Sequence, residues 1–106
     1  MKPRKGHPLF YKLLKKMETI HDMKNSDYSE ANDALSNFKI SERFGIPAHV
    51  GVLVRISDKF SRVSQLIKKG ENNNSVKDEK IEDTLLDMAN YCLLMIILYK
   101  ERMFKK

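Results

Sequence analysis

The sequence predicts an all-α fold, a four-helix bundle-like single domain over residues 1–106, on three observations. Apolar residues recur at three- and four-residue spacing over long stretches. No run of alternating polar and apolar residues is long enough for a sheet. The chain has 106 residues, 42 % of them apolar, and one cysteine, so it fits one core and cannot close an internal disulfide.

The first helix is expected from about Pro8 to Asp22. Proline suits the first turn, and Leu9, Leu13, Leu14, Met17 and Ile20 make one apolar face. Lys24-Asn25-Ser26-Asp27 reads as a turn, because short polar side chains bond to nearby backbone groups. A weaker, polar helical pattern, read as a short or bent segment, follows from Ser29 to Phe44 and stops at Gly45. The third helix opens at Pro47 and runs to Lys69, with Gly70 as its stop. Val52, Leu53, Ile56, Phe60, Val63 and Ile67 fall on one side of it, and Arg55, Asp58, Arg62 and Gln65 on the other. The fourth begins after Ser75, where Ser75 and Asp78 have capping-box spacing, and continues to Phe104.

From Met88 to Tyr99 the fourth helix is apolar on every side, which suits a helix enclosed all round. Three other helices, one of them polar, hardly cover it, so a homo-oligomer, a dimer or a tetramer, is expected around it. The stretch has twelve residues against roughly 20 for a bilayer crossing, and no apolar segment follows the basic start. A soluble, cytoplasmic protein with no membrane partner is the expectation, with Cys92 packed inside the apolar helix.

The net charge of +6 sits at the ends. Residues 1–16 carry six bases and no acid, and residues 100–106 carry four bases against Glu101, which leaves the stretch between them at −3. Basic tails at about 1–7 and 100–106 predict weak, non-specific nucleic-acid binding and say little about what the centre recognises. His7, His21 and His49 are scattered, so their spacing supports no zinc site.

Two polar stripes carry the candidate chemistry. Glu79, Asp83, Asp87 and Asn90 lie within about 80° of one another on the fourth helix. Asp87 leads directly into the apolar stretch, where an unpaired carboxylate is costly and calls for a metal, a cationic partner or a wet cleft. On the third helix Arg55, Asp58, Lys59 and Arg62 form either a solvated face or, opposite the acidic row, one wall of a metal and phosphate pocket. In that pocket Asp58, Asp83, Asp87 and Glu79 would hold Mg²⁺, with Asp58 and Asp87 at the reacting centre. Arg55, Lys59 and Arg62 would neutralise phosphate, and Asn90 would add an amide.

Glu82-Asp83-Thr84-Leu85-Leu86-Asp87-Met88-Ala89-Asn90-Tyr91, Arg55-Ile56-Ser57-Asp58-Lys59-Phe60-Ser61-Arg62 and Lys24-Asn25-Ser26-Asp27-Tyr28 together resemble the small phage and bacterial nucleotide-modification-associated domains. Those domains look like relatives of the all-α MazG-type nucleoside triphosphate pyrophosphohydrolases. The resemblance covers roughly residues 10 to 100. It implies a MazG-type bundle completed by oligomerisation and Mg²⁺-dependent cleavage of a free or modified (deoxy)nucleoside triphosphate to monophosphate and pyrophosphate. It also raises Lys24, Asp27, Tyr28, Asn37 and Phe38 as a pocket for base and sugar, although a turn followed by an amphipathic helix has the same pattern.

The pyrophosphohydrolase pattern has two carboxylates three residues apart on each of two helices. Here Arg55 precedes Asp58 and Thr84 precedes Asp87 at that spacing, with Asp83 and Glu79 as substitutes. A chain with part of the metal set fits a catalytically silent nucleotide-binding oligomer as the alternative. A small DNA-binding regulator, with Ser41 to Pro47 as the start of a helix-turn-helix, is less favoured because Asp58 interrupts the basic side of the helix that follows.

Overall fold

The computed structural model describes residues 4–28, 35–73 and 78–104, and for 25–28, 71–73, 78 and 79 the backbone only. Three α-helices carry the described chain: α1 (Pro8–Tyr28), α2 (Ala48–Asn73) and α3 (Asp78–Phe104). Two 3-10 turns, Ser36–Phe38 and Ile40–Phe44, precede α2, and no strand occurs among the described residues. The fold is all-α. The second segment, expected as a short or bent helix from Ser29 to Phe44, is in its described part these two short turns, and residues 29–34 lie outside the described residues.

Local chemistry sets the ends. His7 caps α1 through Nδ1, which accepts the Leu9 N–H at 3.1 Å, and Pro8 lacks the donor that the first turn leaves idle. The helix then runs through Lys24-Asn25-Ser26-Asp27 to Tyr28. The expected stop at Asp22 is therefore corrected, since those residues cost only tenths of a kcal/mol each in a helix. Gly45 does end the second 3-10 turn, at φ 78°, a backbone conformation that side-chain-bearing residues rarely adopt. Ser41 Oγ donates to the Ile46 carbonyl at 3.0 Å and ties the turn to the start of α2. A Cβ on Gly51 would stand 2.9 Å from that Oγ, so the missing side chain is what lets the turn lie against α2.

Gly70 does not stop α2, which continues to Asn73. One glycine costs about 1 kcal/mol in a helix interior, and a packed helix tolerates that. The capping residue Ser75 lies outside the described residues. α3 extends to Phe104, so residues 100–104 are helical rather than a tail. At the other end Arg4 stacks over the Tyr11 ring at 4.3 Å, which folds part of the basic start onto α1.

α2 and α3 pack as an antiparallel hairpin. Steps forward on α2 match equal steps back on α3: Ala48 and Val52 share a core with Leu98 and Leu94, Arg55 meets Tyr91, and Lys59 meets Asp87. Leu35 completes that core and anchors the 3-10 segment to it. Of the expected face of α2, Val52 and Val63 are buried and Ile56 packs against the core, joined by Ala48 and Leu66, whereas Leu53, Phe60 and Ile67 are exposed at seven-residue spacing.

α1 lies across α3 and has no buried residue among those described. Its attachments are largely polar. Lys16 bonds Glu82 at 2.6 Å and approaches Asp83 at 3.7 Å, Lys24 pairs with Asp87, and the Asn90 amide donates to the Met17 carbonyl at 3.4 Å. The hydrogen bond to Glu82 raises the Lys16 pKa above its ordinary value, with burial opposing and the Glu82 and Asp83 charges adding. A raised lysine stabilises the fold below its unfolded value and ceases to do so as pH rises through the folded one, so this contact persists at neutral pH.

The outer face of α3 stays open. Leu93, Ile96 and Ile97 are about half exposed, at 51 %, 52 % and 44 %. Cys92 is exposed there rather than packed, because α2 covers only the opposite side of the helix. No described helix is long and apolar enough to cross a membrane.

Candidate functional site

The hairpin register, the 3-10 segment and the extension of α1 bring three walls around one cleft of about 500 Å³. α1 contributes Ile20, His21 and Lys24. The turn Ser36–Phe38 contributes Asn37 and Phe38, held in place by buried Leu35. Arg55 comes from α2, and α3 presents Asp87, Asn90, Tyr91 and Leu94 at helical spacing on one face.

Asp87 is the electrostatic centre of the cleft. Its side chain is 23 % exposed, and each carboxylate oxygen has its own ammonium. Lys24 reaches Oδ1 at 3.0 Å and Lys59 reaches Oδ2 at 3.4 Å. The cationic partner that a half-buried carboxylate calls for is thus a pair of lysines from two helices. One turn further along α3, Tyr91 meets Phe38 edge to face with centroids 6.1 Å apart. The Arg55 guanidinium lies 5.2 Å from the Phe38 centroid and 6.0 Å from that of Tyr91, and the Lys24 ammonium is 5.9 Å from Tyr91. At these distances the ring faces attract the cations and hold them at the cleft wall.

Of the residues singled out in the sequence, Lys24, Asn37, Phe38, Arg55, Asp87 and Asn90 line this one cleft, and Lys59 stands behind Asp87. Asp58, Asp83 and Arg62 do not line it. Asp58 is exposed and, six residues beyond buried Val52, is turned about 120° from it on α2. Asp83 faces Lys16 on α1. No group of three His, Cys, Asp or Glu residues able to hold a metal ion exists among the described residues. The side chains of Asp27, Tyr28 and Glu79 lie outside the described residues. Tyr91 was not expected at the site. It follows Asp87 by four residues, so carrying the acidic stripe one turn further would have found it. His21 precedes Lys24 by three and is legible in the same way, but only once α1 extends past Asp22.

The family model described as nucleotide modification associated domain 1 matches residues 24–98. The chain belongs to that family. The matched span begins at the cleft lysine Lys24 and ends at the core residue Leu98, so this domain keeps the cleft's α2 and α3 walls and the Asn37-Phe38 turn within its family segment. No curated protein and no solved structure matches the chain.

A second depression of similar volume, about 510 Å³, lies at the far end of α3 between Lys39, Glu42, His49, Glu101 and Arg102. Its cations and acids alternate, and Lys39 pairs with Glu101 at 3.4 Å. The 3-10 turn Ile40–Phe44 ahead of Gly45 is one short turn where a helix-turn-helix needs a helix.

Proposed function

We propose that this domain binds a free or modified (deoxy)nucleoside phosphate in the cleft between α1, α2 and α3. The observation that carries the proposal is the convergence of Lys24, Arg55 and Lys59 with the Phe38–Tyr91 pair and the amides of Asn37 and Asn90. Cations supply the phosphate contacts, and an aromatic pair offers faces for a base. Asn90, whose amide nitrogen also donates to the Met17 carbonyl, keeps its Oδ1 and a second amide hydrogen for a base edge. The family description, with its reference to nucleotide modification, agrees with this chemistry.

Pyrophosphohydrolysis of a nucleoside triphosphate, as in MazG-type enzymes, is the second reading, and Asp87 facing the cleft is the observation that favours it. That reaction implies Mg²⁺ held by carboxylates. The described residues do not fit such an ion, because both Asp87 oxygens face ammonium groups, Asp83 faces Lys16 and Asp58 points elsewhere. Calorimetric titration of ribo- and deoxynucleotides with Mg²⁺ or with EDTA, followed by chromatography of the mixtures, separates the two readings. Saturable binding in EDTA with the nucleotide recovered intact is expected. Mg²⁺-dependent release of pyrophosphate would establish the hydrolase instead, and no binding of any nucleotide would end both readings.

The partner we propose for the open apolar faces is a second copy of this chain, in a dimer or tetramer. The accessible surface is 8588 Å² for 12.4 kDa, against roughly 6100 Å² for a compact monomer of that mass. The radius of gyration is 16.4 Å, against about 13 Å for this length. The excess area is of the size that protein interfaces bury. Exposed Leu53, Phe60 and Ile67 on α2 and Leu93, Ile96 and Ile97 on α3 offer helix-packing stripes. Sedimentation equilibrium at micromolar concentration should give at least twice 12.4 kDa; a clean monomer would remove this part of the proposal.

A further inference from the structure

We infer that the cleft selects a nucleoside monophosphate without a divalent metal, and that Asp87 sets this selection by excluding longer phosphate chains. The inference rests on the nucleotide-binding reading above and adds the ligand class and the residue that determines it.

The charges around the cleft can be assigned one by one. α1 contributes Lys24, with His21 beside it; α2 contributes Arg55 and Lys59; α3 contributes Asp87. Among the described residues, three cations against one carboxylate leave a balance of +2. A phosphomonoester carries about −1.5 to −2 at pH 7, which that balance neutralises. Each further phosphate adds about one more negative charge, and the described residues that line the cleft include no further lysine or arginine to meet it. Nor do its described residues offer the carboxylate set through which Mg²⁺ would screen a triphosphate.

Geometry sharpens the point. Asp87 occupies both ammonium groups at once, at 3.0 and 3.4 Å, so the cleft already holds one anion between Lys24 and Lys59. An incoming phosphate therefore finds Arg55 and the outer side of Lys24 open to it, while a longer chain must run beside a fixed carboxylate of like sign. Phe38 and Tyr91, against which Arg55 is held, place a base within one cleft of about 500 Å³ together with that phosphate.

The test is calorimetry on the full chain in EDTA with the 5′-mono-, di- and triphosphates of the four deoxynucleosides, repeated in Mg²⁺ and then on Asp87→Asn. In the parent, the best monophosphate should bind at least about tenfold more tightly than its triphosphate, and Mg²⁺ should not reverse the order. Asp87→Asn raises the balance to +3 and frees both lysines, so its discrimination against diphosphate should fall about tenfold or more. A triphosphate preference, a requirement for Mg²⁺ or unchanged discrimination in a folded variant would overturn the inference and leave the nucleotide-binding reading standing. Absence of binding to every nucleotide would overturn that reading as well. If Asp87→Asn fails to fold, Asp87→Ser serves in its place, and the parent's own ranking decides independently of either.

Discussion

Arg55→Ala is expected to weaken nucleotide binding by about 10- to 100-fold, because hydrogen bonds to a charged group contribute roughly 1.5–3 kcal/mol and each 1.4 kcal/mol is tenfold. The guanidinium is the one cation of the cleft with no carboxylate partner among the described ion pairs, and its position over Phe38 and Tyr91 is held by the rings. Its removal should leave the thermal midpoint nearly unchanged, since the residue is exposed and lies outside the core. Arg55→Lys keeps the charge but loses the planar fork, and should fall between parent and alanine variant. Titration calorimetry alongside a melting curve checks both effects. An unchanged dissociation constant in Arg55→Ala would move the phosphate site out of this cleft.

Leu98→Ala should cost about 2–5 kcal/mol of folding stability, a large share of the 5–15 kcal/mol that a domain of this size has. Leu98 is 3 % exposed, within the cluster of Leu35, Ala48, Val52 and Leu94 that closes the open end of the hairpin. That cluster also anchors the turn carrying Asn37 and Phe38, so urea unfolding and nucleotide binding should both suffer. Leu93→Ala is the informative comparison, because Leu93 is 51 % exposed in the single chain. A cost well below that of Leu98→Ala fits an uncovered face; a similar cost, together with a loss of assembly in the centrifuge, identifies Leu93 as buried by a second copy.

The polar stripes show how much of the site was legible. Lys24, Asn37, Phe38, Arg55, Lys59, Asp87 and Asn90 stand out in the sequence, and they meet around one cleft. The acidic row does not act as a row. Asp87 turns toward α2 and the end of α1, whereas Asp83, four residues earlier, turns toward Lys16. Residues four apart share a face to within about 40°, and over a whole stripe that drift is enough to pass from one neighbouring helix to another. Leu53, Phe60 and Ile67 hold one stripe at seven-residue spacing beside Val52 and Val63, and they are exposed because α3 packs on the Val52 side.

Periodicity and turn chemistry, which are properties of neighbouring residues, determined from the sequence alone that this chain is helical. They also placed α2 and α3 to within a few residues and marked Asp87 as a carboxylate needing a partner. Only the tertiary structure decided who that partner is. The antiparallel register of the hairpin set Lys59 opposite Asp87 and Arg55 opposite Tyr91, and the extension of α1 past Asp22 delivered Lys24. A carboxylate that follows Glu79 and Asp83 at four-residue spacing reads locally as the end of an acidic stripe. Placed within 3.4 Å of two ammonium groups from other helices, it is an ion-pair centre, because at that range the nearest opposite charges outweigh the more distant like ones.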